Sequence, residues 1–383
     1  MRQDLRDIGR EDNRSAVISR RGLLSALPLL GACGRAGAGF RGHAFVACAG
    51  SATVAVVDLL AFNVRERIAL TGSPSSLFRL GQRLFAAIPG ENAVDEIDPG
   101  HRRLVFTHKL PGPPVALRGE AENPGRLWVL LNEPRPTLHP VSLDGAGVPR
   151  PIALAARAVS VATAPYAPLA AAALEPGAVQ FVPLDQPRAL EPVSLAPGLG
   201  SVRFRSDGRL LMVAERERRR LTFLDPGLRR VVAELPLPLS PDQLAVHPDG
   251  GQVFLTGDGR DAVVVVYPYR TEIAQTSLSG RRPGRMAVST MPPFLFVSNP
   301  EANSVSVFDV QTQKVVAVTG VGVHPTAIAI TPDQQYALVL NEESGDVAVI
   351  RMSAISPGRA KRAPLFTMIP AGDRPVDIRI FGA

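Results

Sequence analysis

The chain has 383 residues, 45% of them hydrophobic and 20% charged, enough apolar material to bury a large core. Its 36 prolines and 34 glycines are too many for a helical protein and suit short strands joined by tight turns. A net charge of +7 with only 5% aromatic residues excludes the basic stripe interleaved with rings that nucleic acid calls for, so no nucleic-acid partner is expected.

At the amino terminus, residues 1–32 read as a targeting segment. Ser19-Arg20-Arg21-Gly22-Leu23-Leu24 has the twin-arginine arrangement of a Tat signal, and the weakly apolar stretch that follows, up to Ala32, is too short to span a bilayer. Leu30-Gly31-Ala32-Cys33 resembles a lipobox, with small residues before the cysteine that becomes lipidated. The expectation is Tat export and a lipid anchor on Cys33 in the cell envelope, periplasm or outer membrane, with 33–42 as a short linker and 43–383 as one domain. The segment holds six arginines against four acids, which leaves about +5 on the remainder. Cys48 is the only other cysteine, so no disulfide framework exists; it falls in a strand and reads as a small buried hydrophobe.

Beyond the leader, an apolar run returns eight times, about every 40 to 43 residues: at Phe45, Leu84, Leu127, Leu169, Leu210, Val253, Leu295 and Ala337. A fixed period in this range marks a repeat architecture. The clearest unit has an alternating strand at 325–330, a turn at 331–334, an apolar strand at 336–340 and a third strand at 346–350. A more polar fourth strand, such as 314–318 in the preceding copy, completes a four-stranded meander. The first strand carries a proline followed three residues later by Leu, Ile or Met, at Pro74, Pro114, Pro241, Pro283, Pro325 and Pro375. Degenerate copies begin at Ala158 and Ser201. Third strands end in acids, Asp58, Asp98, Asp144, Asp185, Asp225 and Asp309, which read as turn formers rather than metal ligands because they would be spread around a ring.

The two ends complete each other. The chain enters its first unit at the second strand (43–48) and finishes with an orphan first strand (374–380), so pairing the ends closes a ring and removes exposed edges. The stretch Phe45 to Asp58, with Phe296 to Asp309 and 320–333, resembles the YVTN family of β-propeller repeats, the YncE-like and WD40-like group. That resemblance covers roughly 42–383 and is weakest over 124–208. It implies an all-β propeller in an extracytoplasmic setting with binding or surface roles. The family typically has seven blades, whereas the repeat count here is eight, with seven kept as the alternative should 169–200 be an insertion.

Strand parity places the residues just before the inner-strand prolines on one face, around the channel: Ser73, Pro113, Ser240, Arg282, His324 and Arg374. Consecutive units bring Arg281, Arg282, His324 and Arg374 together there, with Asn299 and Asn341 at the ends of second strands beside them. Guanidiniums, an imidazole and amides around one mouth suit a carboxylate or phosphate. His247 sits in a turn on the opposite face, and His43, His101, His108 and His139 have no paired metal-ligand spacing. No phosphate loop, nucleophile triad or close carboxylate pair stands out, and no cofactor or metal is expected. The reading therefore leans to a non-enzymatic, monomeric binding or scaffold module for an envelope protein or small anion. The alternatives are a lactonase-like hydrolase using the channel mouth and a periplasmic haem-binding redox propeller. A basic insert at 351–364, carrying Arg359, Lys361 and Arg362, is placed on the opposite face and could touch anionic lipid.

Overall fold

The computed structural model describes residues 39–120, 123–143, 149–355 and 364–382. Outside them lie the Tat-type segment with Arg20 and Arg21, the lipidation site Cys33, Asp144, and Arg359, Lys361 and Arg362 of the basic insert. The described residues form eight four-stranded antiparallel sheets, the number the apolar runs predict. Blade 1 joins 42–69 to 375–382; blades 2 to 8 are 76–109, 114–153, 158–194, 199–236, 240–278, 286–320 and 325–370. The weakest copy is thus a complete blade, and only its outer strand is short, Val193–Ser194.

In blades 2 to 8 the strands follow chain order from the channel outward, so neighbours are hairpin partners. Blade 1 differs: its inner strand is Pro375–Gly382, antiparallel to Gly42–Cys48 through pairs such as Phe45 with Arg379 and Val46 with Ile378. Every inner strand also touches the inner strands of the blades on either side, so the ring is closed and only outer strands remain as edges.

The unbroken apolar second strands follow from burial on both faces, where period-two alternation has no polar side to display. Phe45 and Ala47 pack with Leu77, Leu84 and Ile97 between blades 1 and 2, while Ala44, Val46 and Cys48 pack with Leu338, Leu340 and Val347 between blades 8 and 1. The same division gives each of the eight blade junctions its own apolar layer. A fully buried ring such as Phe85, Phe181 or Phe254 contributes about 1.5–3 kcal/mol over an exposed one. Cys48 is fully buried, as a small hydrophobe should be, and burial pushes its thiol up.

Four of the acids ending third strands form turns, Asp58, Asp98, Asp225 and Asp309. Asp58 Oδ1 accepts the N–H groups of Leu60 and Ala61 at 2.8 and 3.1 Å, and Asp98 Oδ1 accepts those of Gly100 and His101 at 2.8 and 3.2 Å. Asp225 does the same for Gly227 and Leu228, and Asp309 for Thr312. His247 is nearly buried in its turn, its Nδ1 2.6 Å from Asp249 Oδ1.

Candidate anion-binding site at the channel mouth

Each outer strand runs into the next inner strand through a loop on one face of the ring. A proline opens most inner strands, where its missing N–H removes no ladder bond. Register slips at Pro114/Ala116, Ala158/Ser160, Pro241/Gln243 and Pro325/Ala327 bend these strand starts around the mouth.

Three residues before those prolines, Arg282, His324 and Arg374, sit in the left-handed region with φ of 51°, 57° and 49°. That region costs a non-glycine residue about 1 kcal/mol or more, so the surroundings must hold it. Asp261 Oδ1 accepts the Arg282 N–H at 2.8 Å and Asn303 Oδ1 the His324 N–H at 3.1 Å. Both acceptors come from the second-to-third-strand loop of the preceding blade. Ser73, Pro113 and Ser240 have no such φ, which confines the strained arc to the loops leading into blades 7, 8 and 1.

Within this arc Arg282 and His324 line a cavity of about 680 Å³ that opens on the mouth, a size that suits a small ligand. Arg374 is exposed on the rim outside that lining, and Arg281 is exposed beside Arg282. The rim is less basic than the sequence suggests. Arg282 pairs with Glu301 at 3.3 Å, His324 Nδ1 with Glu343 at 3.4 Å, and Arg374 with Glu342 at 4.0 Å. The acids arrive from neighbouring second-to-third-strand loops, a juxtaposition that spacing along the chain does not display.

Asn299 and Asn341 take a different role from the one expected, because both are fully buried. Asn299 Oδ1 accepts from Ser279 Oγ and the Gly280 N–H at 2.9 and 3.1 Å, while its Nδ2 donates to Ser304 and Ser306. Asn341 Nδ2 donates to Asp346 Oδ1 at 2.7 Å. Asn299 pins the loop that carries Arg281 and Arg282, and Asn341 ties its own strand to the next.

Unmatched charge lies at the cavity wall, where Arg285 stays exposed to solvent, and deeper along the lumen. Arg285, two residues past Pro283, lines the cavity and joins no ion pair among the described residues. Arg379, on the inner strand of blade 1, also lines it and donates at 2.7 Å to both Asp377 Oδ1 and the Ile378 carbonyl. Asp377 in turn accepts the Leu77 N–H at 2.8 Å, tying blade 1 to blade 2. Farther along the lumen, Arg118 donates to the Val161 and Leu117 carbonyls, both at 2.8 Å, and Arg203 donates to the Val202 carbonyl at 3.3 Å.

Burial pushes Arg118 down to about 10, with Arg203, Arg379 and Arg285 adding to the effect. Burial and Arg285 lower Arg203 as well. An arginine stays charged at neutral pH, so these shifts express the cost of gathering like charges away from bulk water. An anion placed among them would relieve that cost through charge-assisted, bidentate hydrogen bonds.

The sequence reading missed these lumen arginines, although a signal was present. Arg118, Arg203 and Arg379 follow the inner-strand Leu, Val or Ile directly, where the other copies carry Phe78, Ala162, Ala245, Ala287 and Ala329. Strand pairing confirms the shared register: Arg118 faces Trp128, Arg203 faces Met212 and Arg379 faces Phe45, just as Ala245 faces Phe254.

Comparison with known proteins agrees with the propeller fold. The family described as Lactonase, 7-bladed beta-propeller matches residues 259–358, from the third strand of blade 6 through that of blade 8. A search of curated proteins gave no match. Among solved structures, the dihydro-heme d1 dehydrogenase NirN in complex with DHE superposes with a TM-score of 0.73 at 16% identity, over 88% of this chain and 74% of that one. AztD from Citrobacter koseri gives 0.70 at 15% identity, over 90% of this chain and 98% of that one. A putative 6-phosphogluconolactonase from Bacteroides fragilis gives 0.58 at 16% identity, over 89% and 98%. At these identities the likeness is one of fold.

Proposed function

We propose that this chain is a non-enzymatic, extracytoplasmic binding propeller whose channel mouth takes a small anionic ligand. The observation that carries the reading is Arg285, facing a cavity of about 680 Å³ with no acid of its own, while Arg282, His324 and Arg379 line the same space. Arginine in such a site offers a planar fork of donors that matches carboxylate and phosphate. On this reading residues 1–32 direct Tat export, Cys33 carries the lipid, and the YVTN-type repeats form a monomeric platform that presents the mouth to an envelope partner. The test is a thermal-shift titration of the purified protein with inorganic phosphate and with acetate. Stabilisation in the parent that disappears in Arg285→Ala supports the site; no response to either anion in the parent sinks it.

A lactone hydrolase is the second reading, favoured by the family match over 259–358 and the likeness to a putative 6-phosphogluconolactonase. The cavity also holds Asp242 and Asp258, each 3.5 Å from Arg216. Turnover of a lactone panel by the purified protein would favour it over pure binding. The haem-type alternative takes support from the likeness to NirN; a Soret-region band in native preparations distinguishes it.

A further inference from the structure

The arginines of the lumen are arranged by the ring itself. Arg379 belongs to blade 1, Arg118 to blade 3, Arg203 to blade 5 and Arg285 leads into blade 7, so they come from alternate blades. The main contacts between inner strands run between immediate neighbours around the ring. Arg118 nevertheless lies within electrostatic reach of Arg203, Arg379 and Arg285, and Arg203 within reach of Arg285. Guanidiniums that skip a blade can approach one another only across the lumen. Between Arg118 and Arg203, and between Arg203 and Arg285, the same register holds Ala162 and Ala245, whereas Phe78 fills it between Arg379 and Arg118.

Depth follows from register. Arg118, Arg203 and Arg379 share one level, directly after the buried inner-strand aliphatic residue. Arg285 precedes its counterpart Met286, two residues nearer the mouth, or about 6.6 Å along a strand. A group entering past the rim meets Arg285 first and the other three below.

A structural role does not account for the set. Each guanidinium has five N–H donors, yet Arg118 spends two on wall carbonyls and Arg203 one. Asp377 matches Arg379, whereas Arg118, Arg203 and Arg285 have no carboxylate within ion-pair distance among the described residues.

Resting on the anion-binding reading above, we propose that the ligand is a compact polyanion: one oxyanion group held by Arg285 at the mouth, and further groups held below by Arg118, Arg203 and Arg379. A single phosphate or acetate would occupy the upper position alone. The lower arginines select ligands whose charged oxygens are carried on one frame long enough to reach the second level.

Calorimetric titration of the full chain tests this with three probes: inorganic phosphate, tripolyphosphate and benzene-1,2,4,5-tetracarboxylate. The parent should bind at least one of the two polyanions about 100-fold more tightly than phosphate. A preference for the tetracarboxylate identifies a polycarboxylate ligand, and a preference for tripolyphosphate a polyphosphate. In Arg118→Met/Arg203→Met that advantage should collapse to within a few-fold while phosphate binding persists. Ligand-free melting of the double variant should be unchanged or higher, since repulsion is removed, which separates lost binding from lost folding. Equal affinity of the parent for phosphate and both polyanions, or a double variant that keeps the advantage, overturns the proposal yet leaves the mouth site standing. Absence of binding by all three probes overturns both.

Discussion

The rim and the lumen of this propeller both carry arginine, and they use it in opposite ways. At the rim, Arg282, His324 and Arg374 each have a glutamate within 4.0 Å, in solvent, on loops that bend through left-handed backbone. Exposed pairs of this kind contribute about 0–1 kcal/mol and are screened by salt. Among the described residues, Arg118 and Arg203 in the lumen and the exposed Arg285 above them have no such partner, and ring closure brings them within electrostatic reach of one another. The difference teaches that the density of basic residues is a poor guide to where an anion binds. On the proposed reading, a guanidinium without a carboxylate partner is the better one.

The largest change should come from removing Asp377, the acid that pairs with an inner-strand arginine and also spans two blades. Asp377→Ala frees Arg379 and also strips the Leu77 N–H of its acceptor across the ring seam. Chemical denaturation should show a loss of about 1–3 kcal/mol. A neutral result would mean that water or another group replaces the carboxylate at no cost.

The reverse substitution should act in the opposite direction. Arg285→Glu puts a carboxylate within electrostatic reach of Arg118 and Arg203, so the ligand-free protein should gain stability, by less than about 1 kcal/mol at so exposed a position, while its response to added anion vanishes. A variant that melts lower, or that still responds to phosphate, would show that the lumen arginines are compensated already.

Acid titration separates matched from unmatched charge by another route. A hydrogen bond from Arg205 holds Asp207 below the usual carboxylate value, and one from His101 does the same for Asp98. Because the folded values are depressed, this stability is fully present above the unfolded carboxylate pKa and is lost as pH falls through the lower, folded ones. Arginine does not titrate anywhere in that range. Denaturation midpoints of the parent and Asp207→Asn should therefore differ near neutral pH and converge at about pH 2. A constant gap would assign the effect of Asp207 to shape rather than charge.

The smallest effect belongs to the rim. Glu301→Gln leaves Arg282 exposed to water and should shift stability by less than about 1 kcal/mol. Its use is diagnostic: it makes the rim more basic, and if anion affinity rises more than a few-fold, the rim rather than the lumen governs binding.

Much of the fold was legible because each blade is a local construction. The proline-led inner strand, the aspartates at turns, and the second strand buried on both faces all act within some 40 residues and repeat. Even the closed ring could be inferred, since an orphan strand at one end answers a missing strand at the other. The site was legible only in part. Arg282 and His324 do line the cavity, but their glutamate partners come from other loops. Asn299 and Asn341 lie in the right loops yet face the wrong way: at the last position of a second strand the pleat turns the side chain beneath the loop.

By itself the sequence determined the period, a repeat count of eight against an alternative of seven, the seam between the two ends and the face on which the prolines gather. Those features depend on hydrogen bonds and apolar patterns between residues close along the chain, or on ends that have no other partner. Tertiary structure alone decided which charges meet. Arg118, Arg203, Arg285 and Arg379 are remote from one another in the chain and become neighbours only because eight inner strands share one axis. Electrostatic compensation depends on distance in space, and in a closed ring that distance is set by the lumen rather than by the order of residues.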